Sequence, residues 1–177
     1  MKKTAVRDLL LLILLVAIDR VTKYLCIAYL KPLGSTGKTL IKGVLRLLYL
    51  ENDGGAFSFF EGGRIFFLIV TVIALIVMLW FYLSFPDDKR HSLYRLVLTV
   101  LAAGAVGNMI DRIRWGYVVD FIYVELIKFP IFNFADICIT ISIAVLMVMI
   151  IRGDGRKDEA VNAKETPRKN DEDDSGN

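Results

Sequence analysis

Four stretches of this chain stay apolar for about as long as a helix needs to cross the hydrocarbon core of a bilayer, ~20 residues each. They lie at about Leu9 to Leu30, Ile65 to Phe85, Ser92 to Ile110 and Ile131 to Ile151. A soluble domain has no use for so much continuous apolar surface. With 55% hydrophobic residues and a mean hydropathy of +0.54 over 177 residues, the composition agrees, and the length leaves room for one domain of this kind. The expected fold is an all-α membrane protein, a bundle of four transmembrane helices.

The first stretch opens MKKTAVRDLLLLILLVAIDR, with the basic front and apolar middle of a secretory signal. Its apolar zone runs past Asp19 and Lys23 to Leu30 with no small-residue cleavage site, so it is expected to remain as the first helix. Cys26 follows Leu25 and not a small residue, unlike the cysteine of a lipoprotein precursor. Cys26 and Cys138 fall in separate spans and read as small apolar side chains rather than as a disulfide or metal site. Lys2, Lys3 and Arg7 precede the first helix, Lys89, Arg90 and Arg95 attend the loop between the second and third, and Arg152, Arg156 and Lys157 follow the fourth. That bias puts both termini in the cytoplasm, although Lys31, Lys38, Lys42 and Arg46 on the other side make it a moderate one. Residues 153–177 are charged and polar without an apolar period and are expected to form a disordered cytoplasmic tail, leaving 1–152 as the membrane domain. The net charge of +3 averages a basic body with an acidic tail and identifies no partner.

Two loops lie on the outer side. Residues 36–60 carry Leu, Val and Tyr interleaved with Lys and Arg, then a DGG turn signal, which fits short strands better than another helix. The second loop, IRWGYVVDFIYVELIKFP, is dense in aromatic and branched residues, and Trp115, Tyr117 and Tyr123 are of the type that settles among lipid headgroups.

On this topology the polar residues within the apolar runs all fall toward the outer side. Asp19, Thr22 and Lys23 lie past the midpoint of the first helix, Asn108, Asp111 and Arg112 near the outer end of the third, and Asn133 and Asp136 in the first turns of the fourth. Within each set the spacing of three or four residues puts the members on one helix face. Gly104 and Gly107 add a small-residue surface on the third helix that lets a neighbour approach closely. A lone Asn or Thr would be read as an interhelical hydrogen bond. Several ionisable groups at one depth, each costing at least ~2.5 kcal/mol at the bilayer centre, point to a site.

Two carboxylates without a metal can hydrolyse a peptide bond when they share one proton, since their repulsion leaves one acid and one base. Asp136 is one candidate. Asp120, set among apolar residues in GYVVDFIYV, is the other; alone, it would read as an exposed loop carboxylate. Zinc chemistry lacks ligands, because the single histidine, His91, falls in the cytoplasmic loop. Ser58 with Lys23 or Lys128 is joined by no local motif. The Gly-rich stretches ENDGGAF and AAGAVGN lack the Lys and Ser/Thr of a phosphate loop.

Five blocks sharpen the picture: D-R-V-T-K at Asp19 to Lys23, N-D-G-G-A-F at Asn52 to Phe57, G-N-M-I-D-R at Gly107 to Arg112, V-V-D-F at Val118 to Phe121 and F-N-F-A-D at Phe132 to Asp136. In this order, over nearly the whole membrane body, they resemble bacterial lipoprotein signal peptidase, the type II signal peptidase family. The resemblance implies an aspartic endopeptidase of the bacterial inner membrane that needs no cofactor. It would remove the signal peptide from diacylglyceryl-modified prolipoproteins on the N-terminal side of the lipidated cysteine. By motif match Asp120 and Asp136 are the catalytic pair, while Asp19, Asn52, Asn108, Arg112 and Asn133 line the pocket, binding substrate or supporting the dyad. It also implies an outer β-cradle and a short outer helix, and as partners the prolipoprotein and membrane lipids. No nucleic-acid partner is expected, and the protein is expected to be a monomer. Phe57, Phe59 and Phe60 either cover the site or anchor the loop in the membrane, and Lys23 either neutralises Asp19 or snorkels outward.

The rival from another class is a small proton-coupled membrane transporter component, since intramembrane carboxylates also relay protons. Such a protein should show acidic groups at several depths and a repeat across the membrane plane, and this sequence shows neither. A purely structural subunit leaves the clustered carboxylates without a reason.

Overall fold

The computed structural model describes residues 3–54, 63–88 and 91–152. Four long helices appear: α1 (Lys3–Tyr29), α2 (Gly63–Ser84), α3 (Ser92–Arg114) and α4 (Phe134–Ile151). The apolar runs supply their interiors and local chemistry sets their ends. Pro86 and Pro32 follow α2 and α1 within three residues, where a ring that lacks an N–H stops propagation. At the start of α4, Asn133 and Asp136 form a reciprocal capping box that satisfies two orphan N–H groups.

Among the described residues, α2, α3 and α4 are long and apolar enough to cross a membrane. α1 is the longest helix, at 27 residues, but carries Asp19, Arg20 and Lys23 within its apolar zone. The distribution of burial is the reverse of a soluble protein's. No residue of α2 is buried, and large apolar side chains from Val6 to Ile151 face outward, whereas the most enclosed side chains include Lys23, Asp19, Asp111, Asp120 and Asn133. Apolar surroundings make that arrangement stable, since the helix exteriors need no water and the charges need one another.

α3 is the centre of the bundle and packs against each of the other three helices. Its glycines set the distance. A Cβ on Gly104 would lie 2.6 Å from the backbone oxygen of Ala135, and one on Gly107 would lie 2.7 Å from Asp19 Oδ2, so α4 and α1 approach to where a methyl group would otherwise stand.

At one end sits a three-stranded antiparallel sheet in the order β1 (Lys38–Ile41), β2 (Leu45–Asn52), β3 (Val118–Val124). The expected outer strands over 36–60 are thus present as β1 and β2, with residues 55–62 outside those described. The second loop adds a strand that its aromatic content alone did not announce. Its run VVDFIYV pairs with β2, Leu50 opposite Asp120 and Asn52 opposite Val118, so Asp120 is a buried strand residue and not an exposed loop carboxylate. Two 3-10 turns, Lys31–Thr36 and Glu125–Ile127, stand where a short outer helix was expected. Trp115 and Tyr117 pack against Cys26, Leu30, Val119 and Phe121 beneath the sheet, and both cysteines are free and buried. The expected tail at 153–177 and the aromatic cover of Phe57, Phe59 and Phe60 lie outside the described residues.

Candidate functional site

Three elements bring the two carboxylates to one place. After β3 the chain turns back through residues 125–131, and Phe132 bonds with the strand it has just left: its oxygen accepts from Phe121 N and Ile122 N, and its N–H donates to Ile122 O. This bracket fixes the next residue, Asn133, beside Asp120 at the very start of α4.

Asn133 is completely buried and touches both acids. Its Nδ2 donates to Asp120 Oδ1 at 2.6 Å, its backbone N–H donates to Asp136 Oδ2 at 3.0 Å, and its Oδ1 accepts from Asp136 N at 3.0 Å. The other oxygens are held from elsewhere. Asn52, at the end of β2, donates to Asp120 Oδ2 at 2.7 Å, and Asn108 of α3 donates to Asp136 Oδ1 at 2.8 Å. Asn52 is itself oriented by a local turn in which Gly54 N donates to its Oδ1; Gly54 sits at φ +85°, where glycine is favoured. Each carboxylate oxygen therefore receives one amide N–H. That fixes the orientation of both carboxyl groups.

Burial dominates the electrostatics of Asp120, which is 1% exposed. Desolvation, with the Asp136 charge nearby, pushes its pKa up to about 6 against the pull of Asn52, Asn133 and Lys23.

Behind the two carboxylates lies a closed ionic lattice. Lys23, fully buried, contacts Asp111 Oδ2 at 2.6 Å and Asp19 Oδ2 at 3.2 Å, and donates to Asn108 Oδ1 at 2.9 Å. Arg20 joins the same two acids at 2.5 Å each and donates to Gly107 O at 2.8 Å. Asp19 Oδ1 accepts from Ala135 N and Asp111 Oδ2 from Val119 N, both at 3.2 Å, which ties the lattice to the backbone beside Asp136 and Asp120. Two acids and two bases balance, the arrangement that makes buried charge tolerable.

The expected site residues thus divide. Asp120, Asp136, Asn52, Asn108 and Asn133 form one hydrogen-bonded set. Asp19 stands behind it, 1% exposed and committed to Arg20, Lys23 and Ala135. Arg112 lies over the Phe67 ring at 4.7 Å from the centroid and donates to Asn108 O at 3.4 Å. Lys23 neutralises Asp19 and does not snorkel outward. Thr22 leaves the expected polar face: its hydroxyl donates back to Ile18 O and Asp19 O in its own helix, as hydroxyls in apolar surroundings tend to do. Arg20 and Asp111 carry more of the site than their sequence positions conveyed. Arg20 was the second residue of D-R-V-T-K, and the absent Cβ at Gly107 leaves room for the Asp19 carboxylate that its guanidinium holds.

A family model described as signal peptidase (SPase) II matches residues 11–152. The lipoprotein signal peptidase of Lactiplantibacillus plantarum is 40% identical over 149 residues, covering 82% of this chain and 95% of that protein. The lipoprotein signal peptidase of Clostridium tetani is 36% identical over 159 residues, covering 87% and 98%. A solved structure described as a bacterial membrane enzyme, determined by the in meso method, superposes with a TM-score of 0.74 at 32% identity, covering 81% of this chain and 92% of that one. The chain belongs to the signal peptidase II family.

Proposed function

We propose that this protein is an aspartic endopeptidase of the bacterial inner membrane that removes the signal peptide from diacylglyceryl-modified prolipoproteins, cutting on the N-terminal side of the lipidated cysteine. Its relatives are named lipoprotein signal peptidases, and that supports the substrate class. The observation that carries the mechanism is the single residue Asn133 holding Asp120 with its side chain and Asp136 with its backbone.

The dyad shares one proton. Asp120, raised to about 6 by burial, keeps it, and Asp136 is the base. Asp136 takes a proton from the bound water as the water oxygen adds to the scissile carbonyl carbon, while the Asp120 proton passes to the carbonyl oxygen. Collapse of the gem-diol breaks the C–N bond: the proton on Asp136 goes to the leaving nitrogen, and a hydroxyl proton returns to Asp120. Asn52, Asn108 and Asn133 hold the carboxyl groups, Asp19 supports them from behind, and Arg112 offers a cation to the substrate backbone.

We read α1 as a fourth span despite its charges, because they are paired inward. The sheet and dyad then lie on the extracytoplasmic side and both termini in the cytoplasm. The protein works as a monomer among lipids, with the substrate's acyl chains and signal helix bringing the scissile bond to that depth.

Purified Asp120→Asn and Asp136→Asn, assayed in detergent on a lipid-modified precursor, should each lose at least ~10²-fold in turnover while remaining inserted. Full activity in either would remove that residue from the dyad. Chelators should leave the rate unchanged and the unlipidated precursor should go uncut; strong chelator inhibition would point to a metal instead.

A further inference from the structure

Lys23 is the one ion of the lattice that touches the acid-holding amides. Its ammonium has three N–H donors, and three acceptors take them: Asp111 Oδ2, Asp19 Oδ2 and Asn108 Oδ1. A saturated ammonium locked between two carboxylates has no lone pair to offer as a base. What it does fix is the amide of Asn108. That Oδ1 accepts both from Lys23 at 2.9 Å and from Asn133 Nδ2 at 3.2 Å, so the Asn108 NH2 is turned toward Asp136 Oδ1 at 2.8 Å. The flipped amide would set its NH2 against an ammonium and another NH2, and its oxygen against a carboxylate, three repulsive contacts in place of three bonds.

We propose that Lys23 is a positioning residue for hydrolysis: it holds the Asn108 amide in the one orientation that donates to Asp136. This rests on the dyad proposed above and deepens it. Asp19 and Asp111 serve the same end by holding the Lys23 side chain in place, and Arg20 by bridging those two acids. The groups facing Asn108 come from every neighbouring element: Lys23 on α1, Arg112 beside it on α3, Asn133 and Asp136 on α4, with Asp120 of β3 reached through Asn133. Lys23 is 0% exposed and meets no substrate, so its contribution belongs in kcat and not in KM.

Lys23→Met alone leaves a buried negative charge, so the test uses the charge-balanced pair Lys23→Met/Asp111→Asn. In detergent it should melt close to the unsubstituted protein, keep KM within about twofold and lose about 10- to 100-fold in kcat, the scale of a misplaced catalytic group. Asn108→Ala should lose a similar amount while staying above the floor set by Asp136→Asn. Adding the pair to Asn108→Ala should cost less than about twofold more, because the amide through which Lys23 acts is already gone. An unchanged kcat in the pair, or a loss that multiplies with Asn108→Ala, overturns the assignment. Should the Met pair fail to fold, Lys23→Leu/Asp111→Asn, which likewise offers Asn108 no donor from position 23, takes its place in the cycle, where an unchanged kcat or a multiplicative loss again overturns the assignment. Activity retained in Asp136→Asn would sink the dyad itself, whereas a multiplicative cycle with Asp136→Asn inactive would sink only the role of Lys23.

Discussion

Asn52 shows how finely a single amide tunes the site. Its N–H on Asp120 Oδ2 favours the charged carboxylate, while burial favours the neutral acid and prevails. If Asp120 supplies the proton, kcat/KM falls as pH rises through about 6, where that acid ionises. Removing a donor to the carboxylate favours its neutral form, so in Asn52→Ala the falling limb should move to higher pH; a limb that stays or moves down would separate Asp120 from that titration. The five motif blocks made these residues legible because each carries its polar groups at fixed positions along the chain. Thr22 was misplaced for a physical reason: i, i+3 spacing reports the face a residue shares, and a hydroxyl in apolar surroundings can satisfy itself on its own helix. Arg20 was overlooked because it follows Asp19 directly and so falls outside the three- and four-residue spacing counted from that acid, yet its long side chain reaches both Asp19 and Asp111.

At the scale of elements, the contact of α3 with α4 determines whether the acids meet. A Cβ at Gly104 would stand 2.6 Å from Ala135 O, a backbone atom, and 2.8 Å from Ile139 Cγ1, so the start of α4 would have to move. Gly104→Ala should cost about 1–3 kcal/mol of stability, the scale of overpacking, and lower turnover because Asp136 follows Ala135. Gly63→Ala, where among the described residues nothing lies within 4 Å, is the control that should change neither. Melting in detergent alongside kcat measures both. The helices were legible from length and hydropathy alone, but α3 extends past the apolar run to Arg114, because its last turn is held by charges that hydropathy scores against. β3 was not legible as a strand. Its partner, β2, lies some seventy residues earlier, and only that pairing turns an aromatic loop with one acid into the wall that carries Asp120.

Across the whole molecule, ionic contacts tie the ends of different helices together, and that argues for α1 as a full crossing. At the end away from the sheet, Asp8 of α1 accepts from Tyr82 of α2 at 2.9 Å, Thr4 donates to Asp87, and Arg95 of α3 donates to Tyr82 at 2.7 Å and pairs with Asp87 at 3.2 Å. At the other end α1 meets α3 through Lys23 and Asp111, close to the sheet. One helix of 27 residues, about 40 Å at about 1.5 Å per residue, thus runs the thickness that α2 and α3 cover. The two native thiols are buried, which lets introduced cysteines report the sides directly. In intact cells a membrane-impermeant maleimide should label Lys42→Cys, on the exposed β1–β2 connection. It should reach Arg7→Cys and Pro86→Cys, also at exposed positions, only after the membrane is permeabilised. Labelling of Arg7→Cys in intact cells would put the start of α1 outside and remove it as a span. Labelling of Pro86→Cys there with Lys42→Cys protected would invert the whole molecule and turn the proposed dyad toward the cytoplasm, where a substrate still crossing the membrane would not present its cleavage site.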